Sequence, residues 1–258
     1  MKHKLPELSI FFPAYNEAGN IEEAVKQALS FVPKVADKYE IIIVNDGSND
    51  ATLPIAKRLA RKYKAVRVVT QRNKGYGGAL KLGFKSVRYD WIFYTDADLQ
   101  FDITELKRFV SQARKHDLVI GYRKKRVEGW KRQVFASALK VWNRVMLAFP
   151  LHVGDIDCAF KLFHRRVLRN VEPLISDGAM LSTEFLMKAH QAGLECAQVG
   201  VTHYARRVGT PTGNNWKVIA RAVRDTFILK KHLLKKAPAY RIARTSYQQL
   251  HELALGLT

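Results

Sequence analysis

Trp91-Ile92-Phe93-Tyr94-Thr95-Asp96-Ala97-Asp98-Leu99-Gln100 is a short, densely apolar run that breaks into two carboxylates. A run of that length, closed by polar turn formers, reads as a strand buried on both faces, as in parallel sheets. The same texture recurs at Leu8 to Phe12, Ile41 to Val44, Val66 to Val69 and Leu118 to Ile120, with helical patterns between. Asn20-Ile21-Glu22-Glu23 and Asp102-Ile103-Thr104-Glu105 each place an N-cap residue three positions before Glu, a helix-start pattern. Such alternation predicts right-handed βαβ units and an α/β fold: a Rossmann-like, doubly wound, mostly parallel sheet with helices on both faces. Its ligand crevice should lie at the carboxyl ends of the strands. The loops expected there are rich in carboxylates: Pro13-Ala14-Tyr15-Asn16-Glu17, Asn45-Asp46-Gly47-Ser48-Asn49-Asp50 and Thr95 to Gln100.

Further along, an apolar run at Cys158 to Phe163, a helix near Thr183 to Ala192 and a strand near Cys196 to Tyr204 extend the same domain, with no Pro/Gly/Ser-rich linker. One domain is expected over residues 1–213, followed at 214–258 by a basic amphipathic helical tail with Trp216, Ile219, Ala220, Val223 and Phe227 on one face. The stretch Arg123 to Arg144 holds eight Lys/Arg against Glu128 alone. Over the whole chain of 258 residues, 44 Lys+Arg face 23 Asp+Glu, a net charge of +21 on a composition that is 47% hydrophobic. So apolar a chain buries a core and is no disordered basic tail. Its charge calls for an anionic partner: nucleic acid, an anionic membrane leaflet or a phosphorylated small molecule. Cys158 and Cys196 have neither disulfide-scaffold nor zinc-site spacing, so a reducing compartment is expected. No leader pattern and no apolar stretch of spanning length is recognisable, which predicts a cytoplasmic protein without a transmembrane helix.

Asp96 and Asp98, at i and i+2 on a turning chain, suit a hard divalent cation such as Mg2+ or Mn2+ bridging a diphosphate. The plain alternative is helix capping, for which Asp102 is better placed. Asp46 reads equally well as an acceptor for a nucleobase or ribose and as an Asx-turn with Gly47. Asn73-Lys74-Gly75-Tyr76-Gly77-Gly78-Ala79 fits neither G-x-G-x-x-G nor a P-loop. It reads either as a backbone approach to phosphate or ribose, or as small residues packing a helix start on the sheet. No G-x-S-x-G motif and no catalytic-thiol setting is present, which disfavours covalent hydrolysis, and His152, His164 and His203 are scattered.

In order and spacing, Pro13 to Glu17, Val44 to Ser48, Asn73-Lys74-Gly75 and Asp96 to Gln100 resemble the family 2 glycosyltransferases of the GT-A fold. The branch most similar is the dolichyl-phosphate and polyprenyl-phosphate glycosyltransferases. The likeness continues through Gly121-Tyr122-Arg123, Asp155 to Lys161, Glu184 and Arg206 to Gly209. It implies an inverting transfer of a hexose from a UDP- or GDP-sugar to a polyprenyl phosphate. Pro13, Ala14, Tyr15, Glu17, Asp46, Lys74, Gly75 and Asp96 would hold the donor nucleotide, and Asp96, Asp98 and Gln100 would surround Mg2+ or Mn2+. Arg123, Arg132 and Arg206 would bind the acceptor phosphate, and Asp98, Arg123, Arg132 and Asp157 make up the catalytic set. A phosphate oxygen is already ionised, so its attack needs positioning and charge neutralisation rather than a strong base.

Departures fall on the acceptor side: Tyr122 and Ala159 replace smaller residues of the pattern, Ala136 replaces a serine, and Thr210-Pro211-Thr212 replaces a segment ending in Ser-Lys. They leave open a sugar or polysaccharide hydroxyl as acceptor, with Asp157 as general base. The basic tail and Arg123 to Arg144 are expected to hold the protein peripherally on the inner membrane face. A nucleic-acid-binding protein fits the charge but not the clustered carboxylates, so no nucleic acid is expected. A nucleotidyltransferase shares the metal and nucleotide and differs in releasing pyrophosphate.

Overall fold

The computed structural model describes residues 4–124, 142, 146–147, 153–178, 180–206, 208 and 223–232. Seven strands form one sheet: β1 Leu5–Ala14, β2 Ala36–Asp46, β3 Val66–Gln71, β4 Trp91–Thr95, β5 Leu118–Arg123, β6 Phe160–His164 and β7 Cys196–Val201, in the order β3-β2-β1-β4-β6-β5-β7. Every pairing is parallel except those of β6, which runs antiparallel to both β4 and β5. The expected doubly wound, mostly parallel sheet is present; β6 is the addition. A five-residue apolar strand has no readable direction, so the sequence predicts its existence and not its sense.

Burial on both faces follows from the two-residue period of a strand. Leu8, Ile10 and Phe12 of β1, with Ile41 and Ile43 of β2, pack under α1 (Ile21–Phe31), α2 (Thr52–Lys62) and α4 (Leu106–Gln112). Phe11, Ile42 and Val44 face the other way, toward α3 (Gly75–Ser86), α5 (Arg165–Val171) and α6 (Met180–Gln191). On that second face Phe11, Phe84, Tyr94, Phe163 and Phe185 interlock, with ring centroids 5.1–6.4 Å apart.

Asp102 caps as expected, accepting from the Thr104 amide at 2.8 Å. Asn20 does not: its side chain makes no cap bond and donates instead to Glu17 Oε2 at 2.7 Å and to the Val208 carbonyl at 3.3 Å. The two Nδ2 bonds fix the orientation of the amide and leave Oδ1, the atom a cap would use, without a hydrogen bond among the described residues. In the tail, residues 223–232 are helical. Leu229 and Thr226 are buried there, Thr226 lying on the Met180 sulfur at 3.8 Å. Phe227, expected on the apolar face, is 54% exposed beside Ile228 at 52%, although its ring meets Trp142 at 5.8 Å. Trp216, Ile219 and Ala220 lie outside the described residues. Among the described residues no helix is long and apolar enough to cross a membrane.

The chain leaves β1 toward β2 and β3 on one side and returns to β4 on the other, so the topological switch point falls between β1 and β4. The loops after those two strands are Pro13 to Glu17 and Asp96 to Gln100. Because β6 is antiparallel and Phe160 pairs with Thr95, the Asp155–Ala159 stretch that leads into β6 stands at this same edge.

Candidate active site

The first two crevice loops are laced into one unit. Asn16, at φ 56°, donates its amide to Ser48 Oγ at 3.0 Å, and its side chain accepts from the Asn49 amide at 2.9 Å. The Glu17 amide donates to Thr52 Oγ1 at 2.8 Å, and the Ala18 amide to Asp50 Oδ2 at 3.1 Å. Burial pushes the Asp50 carboxyl up, yet bonds from Thr52 and Ala18 hold it below its ordinary value, so it stays an acceptor that fixes the loop. Asp46, at the end of β2, is 2% exposed. Its Oδ1 accepts from Gln71 Nε2 at 2.7 Å and from the Lys74 amide at 3.0 Å. Gly47, at φ 69°, makes this possible: a Cβ there would stand 2.6 Å from the Asn73 nitrogen. Lys74 therefore touches Asp46 through its backbone, and Gly75, at φ 80°, opens α3. The glycines that follow serve packing: a Cβ on Gly77 would meet the Asp177 carbonyl carbon at 2.6 Å, and the Gly78 amide donates to the Asp177 oxygen at 3.1 Å.

The Asp96–Gln100 turn is strained, with Leu99 at φ 60°. Asp98 is buried and its Oδ1 accepts from the Gln100 amide at 3.2 Å. The Gln100 side-chain nitrogen donates to the Tyr204 carbonyl at 3.0 Å, leaving the amide oxygen as its metal-capable atom. Burial, then the neighbouring Asp98 carboxylate, push Asp96 up to about 7, against a hydrogen bond from Tyr76 that favours the ionised form. Burial likewise raises Glu17, opposed by Asn20 and Arg206. Arg206 answers part of this charge: one guanidinium nitrogen pairs with Glu17 and another stands 3.4 Å from Asp98 Oδ2. Arg206, expected at the acceptor phosphate, thus lies against Glu17 and Asp98.

The donor set fits a divalent cation. It consists of hard oxygens whose mutual repulsion a bound charge would relieve, and a guanidinium already stands beside two of them. Among the described residues no three His, Cys, Asp or Glu side chains converge on a point. A cation held here would take few protein ligands, Asp96, Asp98 and Gln100 being the candidates, and would need further oxygens from water or phosphate.

Across β4 and β6 the arrangement differs. Arg123, at the end of β5, grips Asp155 through Nε and Nη2 at 2.7 and 2.9 Å, with side chains 8% and 6% exposed. Asp157 is exposed at the crevice. Its turn is anchored from below by Lys161, fully buried on β6, whose ammonium donates to the Cys158 and Ile156 carbonyls at 2.5 and 3.1 Å. The same ammonium lies 5.6 Å over the Tyr94 ring. Arg132 lies outside the described residues. Burial pushes the Cys158 and Cys196 thiols up to about 12, so neither offers a nucleophile. The sequence assigns no role to Gln71, Tyr76, Asp155 or Lys161, although Asp155 to Lys161 belongs to the likeness and Tyr76 to the glycine-rich stretch. Lys161 carried a signal, a lone charge inside an apolar strand; Gln71 and Tyr76 carried none.

Residues 9–172, more than half of the chain, match the model of glycosyl transferase family 2. The chain belongs to glycosyl transferase family 2. Among its relatives in the family are glycosyltransferase AglD of Haloferax volcanii, 33% identical over 76% of this chain and 32% of that protein. Another is dodecaprenyl-phosphate galacturonate synthase of Rhizobium johnstonii, 30% identical over 79% of this chain and 60% of the relative. A third is undecaprenyl-phosphate 4-deoxy-4-formamido-L-arabinose transferase of Aeromonas hydrophila, 28% identical over 62% and 50%. The chain thus spans less than two thirds of the length of each of these relatives. Glucosyl-3-phosphoglycerate synthase from Mycobacterium tuberculosis, solved with Mn2+, uridine diphosphate and glucosyl-3-phosphoglycerate, superposes with a TM-score of 0.66 at 19% identity, covering 87% of this chain and 80% of that one. The family 2 chain therefore has the GT-A fold that its motifs imply.

Proposed function

We propose that this family 2 chain is a metal-dependent inverting transferase that moves a hexose from a nucleoside-diphosphate sugar to a polyprenyl phosphate at the cytoplasmic face of a membrane. The observation that carries the reading is the carboxylate cluster at the switch point, Asp96, Asp98 and Glu17, where burial and the neighbouring carboxylates push Asp96 and Glu17 up. Support comes from two relatives named for a polyprenyl phosphate and from a neighbour of the same fold solved with UDP and Mg2+.

In this reading Asp46 holds the nucleobase, Pro13, Ala14, Tyr15 and Glu17 flank the nucleoside, and Lys74 and Gly75 close the pocket from the third loop. Mg2+ or Mn2+ held by Asp96, Asp98 and Gln100 supplies the charge that stabilises the departing diphosphate. Arg206 neutralises Glu17 and Asp98 in the ligand-free protein and yields them to the donor, which frees its guanidinium for the acceptor phosphate. Arg123, kept in place by Asp155, and Arg132 complete that anion site. The phosphate oxygen then attacks in line, opposite the leaving group, and inverts the anomeric carbon. Exposed Phe227 and Ile228, beside Arg224, Lys230 and Lys231, suit contact with an anionic leaflet.

The test is incubation with UDP- or GDP-hexoses, Mn2+ and a short polyprenyl phosphate. Sugar in the lipid phase with release of a nucleoside diphosphate is the expected result; release of pyrophosphate, or of free sugar alone, contradicts it. The exposure of Asp157 favours a second reading, transfer to a sugar hydroxyl with Asp157 as base. Asp157→Asn separates the two, because it abolishes hydroxyl transfer and leaves phosphate transfer largely intact.

A further inference from the structure

We infer that Glu184, fully buried on α6, is a positioning residue of the cation site: it fixes the 173–178 segment, and that segment sets the turn of α3 that brings Tyr76 to Asp96. The inference rests on the reading of Asp96 as a cation ligand and adds what holds that ligand in place. Glu184 is 0% exposed, yet three donors converge on its carboxylate. The Ile175 amide donates to Oε1 and Oε2 at 2.9 and 3.1 Å, the Ser176 amide to Oε2 at 2.8 Å, and Lys188 Nζ to Oε1 at 2.5 Å. The same ammonium donates to the Pro173 carbonyl. One side-chain pair thus grips the segment at Pro173, Ile175 and Ser176. Desolvation offsets most of the attraction within a buried ion pair, so what the pair adds is a fixed place for the backbone it bonds.

The held segment bears directly on α3. The Asp177 carbonyl accepts from the Gly78 amide at 3.1 Å, and a Cβ on Gly77 would stand 2.6 Å from the Asp177 carbonyl carbon and 2.7 Å from the Gly178 oxygen. Backbone lies on backbone, with no side chain between to absorb a shift. The Asp177 carboxylate also pairs with Lys81, one turn further along α3. In Gly75-Tyr76-Gly77-Gly78 the single side chain is Tyr76, whose hydroxyl donates to Asp96. Glycine leaves a backbone its widest freedom, so a turn with three of four residues glycine takes its place from what presses on it. Here that is the segment held by Glu184.

The experiment is a double-mutant cycle on the full chain, with Mn2+ titrated in the presence of UDP and bound metal measured by electron paramagnetic resonance. Tyr76→Phe is expected to weaken Mn2+ binding by about tenfold, the effect of one hydrogen bond to a charged group. Glu184→Gln, which turns an amide NH2 toward the donors of the segment, should weaken it by about three- to tenfold in the wild type and by less than about twofold in Tyr76→Phe. Losses that add, or no loss from either single variant, overturn the inference while leaving the cation site standing. No Mn2+ binding by the wild type overturns both. Should Glu184→Gln fail to fold, Glu184→Asp, which keeps the charge and withdraws it by one methylene, takes its place in the cycle with the same expected and contrary results.

Discussion

Two Asp-x-Asp turns stand at one edge of the sheet and have opposite electrostatic fates. Asp96-Ala97-Asp98 leaves β4, Asp155-Ile156-Asp157 enters β6, and the strands pair directly, with Thr95 opposite Phe160. In the second turn Asp155 is met on both oxygens by Arg123, and Lys161 ties down the backbone beneath. In the first, burial and the Asp98 carboxylate raise Asp96, Glu17 adds a third carboxylate, and Arg206 and the charge of Lys161 offset part of this. The motif is the same; what differs is that Arg123 meets both oxygens of Asp155 while Asp96 is left raised to about 7. In the proposed reading the first turn is the one that takes an external cation.

The comparison can be broken most sharply by removing one carboxylate from each turn. Asp98→Ala should lower the transfer rate by about 10³-fold, since it removes a proposed ligand of the cation that would neutralise the leaving group. Asp157→Asn should change transfer to a phosphate acceptor by less than about tenfold. Steady-state rates with a common donor check both, and the reverse ranking would exchange the roles of the turns.

Stability should rank the other way. Asp155→Ala removes the bidentate partner of the buried Arg123 guanidinium, at a cost of about 3 kcal/mol, which is roughly a 10 °C fall in melting temperature for a chain of this size. Asp98→Ala should shift the melting temperature by less than about 3 °C, because relief of carboxylate repulsion offsets the lost turn bond. Calorimetric scans of the metal-free proteins test the pair.

A smaller effect is expected at Lys161. Lys161→Met removes the donor to two buried carbonyls, loosens the Asp157 turn and withdraws a charge that favours ionised Asp96, while leaving the Pro13 to Glu17 and Asp46 to Asp50 loops in place. The kcat should fall about tenfold with the donor KM unchanged, whereas a rise in donor KM would place Lys161 in the donor half. Smallest of all, alkylating reagents at pH 8 should leave activity intact, because thiols pushed up to about 12 are not thiolates there.

Most of the sheet was legible because buried parallel strands are apolar along their whole length; β1 to β5 lie where Leu8, Ile41, Val66, Trp91 and Leu118 announce them. The carboxylates of the donor edge were legible for a related reason, since polar residues directly after such strands have a crevice as their place. What could not be read depends on distant partners. Arg206 meets Glu17 and Asp98 across 189 and 108 positions, and Asn20 abandons its cap for Glu17 and Val208. The bond from Tyr76 to Asp96 joins the first turn of α3 to the turn after β4, which lie 20 positions apart in the chain. Local pattern holds no information on such pairings, because their energy comes from burial that exists only in the folded chain.

The most direct measurement is an electron paramagnetic resonance titration of Mn2+ in the presence of UDP, on the wild type, Asp98→Ala and Asp157→Asn. If the Asp96–Asp98 turn is the one built for an external cation, the wild type and Asp157→Asn each bind one Mn2+ per chain and Asp98→Ala binds none. Retention of Mn2+ by Asp98→Ala together with its loss in Asp157→Asn would contradict the assignment of the two turns.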